Sequence, residues 1–217
     1  MRTVVARRGW ALAVAALVVL LVEGFPPSVA APRATRPARA DYFPLRKGNT
    51  WNYVSAAAHA ALPPQEFSTT IDAVRRSTTT GTAWYQLTNY QGGDHWVRKT
   101  GKGRILERPD HLWYQFEAAP GTSWKMSIRE GFPGSDGATL TLASRSETVR
   151  VPAGVFENCI RIDYAHQVVD AGIIAEWFAP GIGLVQREEA RIFGPLVTRL
   201  KSAVVNGRQF PVENRGR

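Results

Sequence analysis

Residues 123–129, Ser-Trp-Lys-Met-Ser-Ile-Arg, alternate between polar and apolar side chains without one exception. A period of two places Trp124, Met126 and Ile128 on one face of an extended strand and the polar side chains on the other. This pattern is typical of an antiparallel sheet with one face buried and one in water, whereas a buried parallel strand reads as a continuous apolar run. The stretch therefore predicts a strand of an antiparallel sheet.

The same period continues through the chain after residue 40, and turn residues separate the alternating runs. Glycine, proline and aspartate mark the breaks, which have the length of hairpin loops and lie at 91–94, 101–103, 109–110, 120–121, 134–137 and 170–172. We predict an all-β fold, an antiparallel meander of about ten to twelve strands that forms a curved sheet, a half-barrel, a closed barrel or a sandwich. The best helix candidate after residue 40 is the short alanine-rich stretch 55–62.

The first 30 residues are predicted to be a secretory signal peptide with a helical apolar segment. Three arginines precede an apolar run of 13 residues at 10–22, which is short for a membrane span of about 20 residues. Small residues at Ser28 and Ala30 predict cleavage after Ala30, and an uncleaved anchor is the alternative. No later segment is long and apolar enough to span a membrane, so we expect an exported protein, periplasmic or extracellular.

Much of the basic excess lies before residue 41. The formal net charge is +9, but three arginines and one glutamate precede residue 31, and three more arginines lie in 31–40. A net charge of +4 is left to residues 41–217, where Lys and Arg are scattered, so no nucleic-acid partner is predicted. We predict a Pro/Ala/Arg-rich linker at 31–40, a single β-rich domain at 41–212 and a tail at 213–217.

The sequence shows no recognised catalytic or metal-binding motif. The single cysteine, Cys159, lies in an alternating run and is predicted to be a buried thiol. His95 and His111 could meet across neighbouring strands, and a hydrolase could draw carboxylates from Glu107, Asp110 and Glu117. Nothing in the sequence sets the separations that such chemistry needs, so we predict no catalytic residue, no metal and no cofactor.

Aromatic residues are the distinctive feature of the predicted domain, which contains six tryptophans. Most are expected in the core. Strands around residues 95–96 and 112–114 carry large side chains on both faces, and a second apolar face needs a cover. We therefore predict an exposed aromatic face that binds an apolar or sugar ligand, with four candidate residues: Trp84, Trp96, Trp113 and Tyr114.

Three local strings resemble those of a known group of proteins. Residues 41–53 (DYFPLRKGNTWNY) predict a turn and a first strand with Trp51 and Tyr53 in the core. Residues 149–159 (VRVPAGVFENC) predict a Pro/Gly corner closed by Phe156, and residues 176–185 (EWFAPGIGLV) predict a hairpin in which Gly181 and Gly183 supply positive φ or a close backbone approach.

In order and spacing, these strings resemble exported bacterial β-rich proteins and lipoproteins of uncharacterised activity. The resemblance implies an antiparallel curved sheet in an envelope or secreted protein, loosely similar to the half-barrels of lipoprotein carriers. It brings no catalytic residues, and the chain lacks the lipidated cysteine of the lipoprotein members.

The function that these observations predict is that of a non-enzymatic exported β protein which binds an apolar small molecule, such as a lipid, or an envelope protein. A protein-interaction or inhibitor module is the alternative, and an extracellular hydrolase is the second alternative. The sequence carries no signal for an oligomeric state.

Overall fold

The computed structural model describes residues 39–57, 63–129, 131–166, 168, 171–192 and 194–211. They belong to one compact unit that begins at Arg39. The predicted signal peptide, residues 31–38 of the predicted linker, His59 and the tail 213–217 lie outside the described residues.

The described residues form thirteen strands in a single sheet in which every pairing is antiparallel. The predicted all-β meander is thereby confirmed, with one strand more than the upper estimate. The strands are β1 Thr50–Ala57, β2 Gln65–Arg76, β3 Ala83–Tyr90, β4 Gly93–Lys99, β5 Arg104–Leu106, β6 Leu112–Gln115, β7 Ser123–Lys125, β8 Thr139–Val151, β9 Gly154–Ala165, β10 Gly172–Ala179, β11 Gly183–Ala190, β12 Leu196–Val205 and β13 Arg208–Phe210.

The sheet curves until its two ends meet. Its order is β6-β5-β4-β3-β2-β1-β12-β11-β10-β9-β8-β7, and β13 adds to β12. At the seam, the Ser127 amide donates to the Leu112 carbonyl at 2.8 Å, and Trp124 Nε1 donates to the Trp113 carbonyl at 2.9 Å. The sheet is therefore a nearly closed barrel, which is the curved form among the predicted alternatives and not the sandwich.

The predicted alternation is visible in the burial of side chains. Trp124, Met126 and Ile128 are 7%, 1% and 3% exposed. β7 ends at Lys125, although Met126 still accepts a backbone hydrogen bond from Gly137 and donates one to Ala138. At the centre of the core, Phe116 and Phe178 pack edge to face with ring centroids 4.9 Å apart. Alternation thus predicted the buried face correctly and the strand end incorrectly.

No convincing amphipathic helix is predicted after residue 40, and the best candidate, the stretch 55–62, forms no helix where it is described. Residues 55–57 are the end of β1, and residues 58–62 lie outside the described residues. In the described part of the chain, no helix has the length and apolar character needed to cross a membrane.

The three local strings of the sequence meet at one end of the barrel. Gly181 donates its amide to the Asp41 carbonyl at 2.7 Å, and Trp51 Nε1 donates to the Ile182 carbonyl at 2.7 Å. Tyr42 reaches the third string by donating its hydroxyl to the Asn158 carbonyl at 3.1 Å. Trp51 is buried as predicted, and these bonds fasten the entry segment across the barrel end.

Gly181→Val is expected to lower the free energy of unfolding by about 1 kcal/mol or more. Gly181 has a φ of +74°, as the hairpin string predicted, and nothing lies within 4 Å of an added Cβ, so the cost is backbone strain. Gly101→Val is the matched control, since its Cβ also meets nothing and its φ is not positive. Urea unfolding of both variants measures the difference, and equal midpoints would show that φ at residue 181 carries no cost.

Candidate functional site

Side chains fill the part of the barrel interior that lies beside Tyr53 and Tyr90. The space left between Phe43, Trp51, Tyr53, Leu87 and Tyr90 measures about 20 Å³, which is room for about one water molecule. A site for a drug-sized or lipid-like ligand needs roughly 300–1,000 Å³. This part of the interior therefore offers no space for an apolar ligand.

Two of the four predicted ligand residues lie in the core. Trp113 and Tyr114 are both 0% exposed, so the expectation that they are exposed is wrong. Trp113 stacks on Tyr90 at 5.8 Å and meets His95 edge to face at 4.8 Å, while Tyr114 packs against Phe178 at 5.2 Å. The protein's own side chains cover both faces of β6. The large side chains on both faces of this strand therefore need no ligand to cover them.

The other two predicted residues, Trp84 and Trp96, are partly exposed on the outer face of β3 and β4. Each indole carries a guanidinium above its ring. Arg75 of β2 lies 4.3 Å from the centroid of Trp96, and Arg98 of β4 lies 5.4 Å from that of Trp84. We call these four residues the tryptophan–arginine face.

The two arginines of this face have no acidic partner among the described residues. No carboxylate lies within 4.0 Å of Arg75 or Arg98 in that part of the chain. Arg161 provides a contrast, because it lies 5.3 Å from the ring of Trp177 but donates from Nε to Asp163 at 2.7 Å. The N–H groups of Arg75 and Arg98 are therefore open to an external oxyanion.

A pocket borders the face beside Arg98. It measures about 460 Å³, and its lining includes Arg98, Tyr85, Thr82 and Thr100. The hydroxyl groups in this lining both donate and accept hydrogen bonds. Asp41 and Lys99, which form an ion pair, also line the pocket. Tyr85 follows Trp84 on β3 and Lys99 follows Arg98 on β4, so these two lining side chains lie on the opposite face of the sheet from the tryptophan–arginine face.

A second polar group, buried between β10 and β11, was missed by the sequence reasoning. Glu176 and Arg187 pair directly in the sheet register and are 0% and 2% exposed. Arg187 Nε donates to Glu176 Oε1 at 2.8 Å. Arg187 Nη2 lies 2.7 Å from the same oxygen, but no aligned hydrogen bond forms there. Tyr114 and Tyr164 donate to Oε2 at 2.7 and 2.6 Å.

Burial raises the pKa of the tyrosine hydroxyls around this ion pair. The cause in each case is first desolvation, and for Tyr90, Tyr114 and Tyr164 the negative charge of Glu176 comes second. Burial raises the pKa of Tyr53 in the same way. These hydroxyls donate hydrogen bonds inside the folded protein and lose their protons far less readily than a tyrosine in water.

We expect these four tyrosines, of which Tyr53, Tyr90 and Tyr114 are buried and Tyr164 is half-buried, to ionise only when the protein unfolds. Because their pKa values in the folded state lie above the unfolded value of about 10, their contribution to stability is complete below pH ~10 and is lost as pH rises further. Absorbance at 295 nm and near-ultraviolet circular dichroism should change together in an alkaline titration. Full tyrosinate absorbance with a native circular dichroism spectrum would contradict the burial of these hydroxyls.

The predicted meeting of His95 and His111 takes place through Glu107. His95 Nδ1 lies 3.0 Å from Glu107 Oε1, and His111 Nδ1 lies 3.7 Å from Oε2. The second ring nitrogen of His95 bonds the Tyr90 carbonyl at 3.0 Å, so both nitrogens are engaged. Within the described ranges, no group of three or more His, Cys, Asp or Glu is placed to hold a metal ion.

Cys159 is a buried thiol, as predicted. It is 0% exposed, and its Sγ donates to the Phe156 carbonyl at 3.4 Å. Burial raises the pKa of the thiol to about 11, so the thiolate that a nucleophile or a metal ligand requires is scarce at neutral pH.

No protein-family model and no curated protein matches the sequence. Two solved structures are similar. One is a candidate exported protein with a YmcC-like fold from Bacteroides fragilis NCTC 9343, with 16% identity, a TM-score of 0.43 and coverage of 76% of this chain and 99% of that chain. The other is a candidate lipoprotein from Parabacteroides distasonis ATCC 8503, with 16% identity, a TM-score of 0.40 and coverage of 76% and 98%.

Export and membership of the resembled group of exported β-rich proteins stay predictions.

Proposed function

We propose that this chain is an exported, non-enzymatic binding protein that holds a component of the cell envelope on its tryptophan–arginine face. One observation carries the proposal: two tryptophans are kept on the outer sheet surface, each beneath an arginine that has no carboxylate partner among the described residues. Large aromatic and arginine side chains on a surface are the residues that contribute most to binding.

The tight packing beside Tyr53 and Tyr90 favours this proposal over an apolar ligand bound at that place. The space beside Tyr53 and Tyr90 holds about one water molecule rather than a lipid chain. The predicted export rests on the basic and apolar leader and on the small residues before position 31. The predicted binding of an envelope protein and the alternative of an interaction module then describe the same function, in which the outer surface of the sheet binds the partner.

The extracellular hydrolase has less support. Of its candidate residues, His95 and Glu107 are buried and bonded to each other. The thiol of Cys159 is buried and protonated at neutral pH. In the part of the chain that the structure describes, the hydrogen bonds of this histidine and carboxylate go to each other, to the Tyr90 carbonyl and to the Arg129 amide, and none goes to a hydroxyl or a thiol.

Co-sedimentation of the purified chain with isolated envelope fragments tests the proposal. The double variant Trp84→Ala/Trp96→Ala should lose at least tenfold in affinity. Ile192→Ala is the control, because Ile192 is 83% exposed on another part of the surface and should bind as the wild type does. Equal binding of all three proteins would overturn the proposal, and so would recovery of a stoichiometric apolar molecule from organic extracts of the purified protein.

A further inference from the structure

We propose that the tryptophan–arginine face binds an acidic polysaccharide, with carboxylates of the polymer paired to Arg75 and Arg98. This inference rests on the proposed function and names the chemistry of its ligand. The first observation is the unpaired positive charge of the face: its two guanidinium groups have no carboxylate within 4.0 Å in the described part of the chain.

The tryptophans hold these arginine side chains in a restricted conformation that suits the binding of planar oxyanions. A guanidinium that lies over an indole, as Arg75 does at 4.3 Å, has lost much of its side-chain freedom before any ligand arrives. Its N–H groups match the two oxygens of a carboxylate in a bidentate arrangement. The entropy that a mobile surface arginine would lose on binding is thereby reduced.

The layout of the face suits a linear polymer better than a single anion. Arg75 lies opposite Trp84 in the β2–β3 register, and Arg98 lies on β4, so their backbone positions are about 10 Å apart across two strand spacings. Carboxylates spaced along a polymer chain can therefore pair with both guanidinium groups at once.

A membrane surface fits this face less well. Proteins that lie on a bilayer bury an apolar face in it. Here the guanidinium groups cover the indole rings. Among the large apolar side chains exposed in the described residues, Val74 is the member that lies on β2–β4.

Isothermal titration calorimetry of the full chain with polygalacturonate tests the inference. Neutral dextran, vesicles of phosphatidylcholine and phosphatidylglycerol, and polyglutamate are the comparison ligands. We expect binding to polygalacturonate that weakens as salt rises from about 50 to 200 mM, at least tenfold weaker binding to the three other ligands, and at least a tenfold loss of affinity in Arg75→Gln/Arg98→Gln.

Arg161→Gln is the matched control. It removes one charge from an arginine that also lies over a tryptophan but already pairs with Asp163, so its affinity should stay within about twofold of the wild type. An equal loss in this variant would show that general positive charge, and not the face, holds the polymer, and would overturn the inference.

The remaining outcomes separate this inference from the proposed function. Tighter binding to polyglutamate or to the anionic vesicles would replace the polysaccharide with an acidic protein or a membrane. If Trp84→Ala/Trp96→Ala loses envelope binding while Arg75→Gln/Arg98→Gln keeps it, the proposed function stands and the acidic polysaccharide is rejected. If both double variants keep envelope binding, both proposals fail.

Discussion

Glu176→Ala is expected to lower the free energy of unfolding by about 3–5 kcal/mol, because it leaves a buried arginine without its counter-charge. Arg187 is 2% exposed, and its Nε and Nη2 both lie within 2.8 Å of Glu176 Oε1. Removing the carboxylate also takes away the acceptor of the Tyr114 and Tyr164 hydroxyls. An unpaired charge would then remain in the core, and two tyrosine hydroxyls would have lost their charged acceptor.

Urea unfolding followed by circular dichroism measures this loss. Glu157→Ala is the control, since Glu157 is exposed on β9 and should change stability by about 0.5 kcal/mol or less. The double variant Glu176→Leu/Arg187→Met should recover much of the loss, because apolar residues of similar volume often replace a buried pair without cost. A wild-type midpoint for Glu176→Ala would show that Arg187 is not held by this carboxylate.

Trp113→Ala is expected to destabilise the protein by about 3–5 kcal/mol, as removal of a large buried aromatic side chain does. Trp113 is 0% exposed and packs between Tyr90 and His95. Its carbonyl also accepts the Trp124 indole N–H at the seam, so a collapse around the cavity would disturb the closure of the sheet.

Trp96→Ala provides the comparison for this prediction. Trp96 is partly exposed, and its loss removes the contact with Arg75, which is worth about 1 kcal/mol or less at such a site. Both tryptophans were candidate ligand residues on the sequence alone, and their unfolding midpoints separate a core role from a surface role. Similar midpoints for the two variants would contradict the placement of Trp113.

Period-two alternation was enough to predict the strands and the meander, since it reports a local property of each segment. The buried side of residues 123–129 follows directly from that pattern. Alternation does not tell whether the second face of a strand is covered, because the cover comes from residues distant in sequence. Trp113 and Tyr114 were therefore expected to be exposed, whereas the closure of the sheet and the packing of β3, β4 and β10 bury them.

The two polar sites could be recognised only once the register of the strands was known. Trp84 and Trp96 could be selected by residue type, but their partners Arg75 and Arg98 become visible only when β2, β3 and β4 are aligned. Glu176 and Arg187 gave one usable signal, because each is a charged residue at an inward position of a strand. The two residues lie directly opposite each other across the hairpin. With that register in hand, an ion pair between them could have been predicted.

The pairing of β1 with β12 has a consequence for the order of events during biosynthesis. Asn52 donates to Ser202, 150 residues further along the chain. A ribosome releases β1 long before β12 exists, so one edge of the first strand stays open until almost the whole polypeptide has been made. A truncation before residue 196 would therefore leave β1 without its β12 partner.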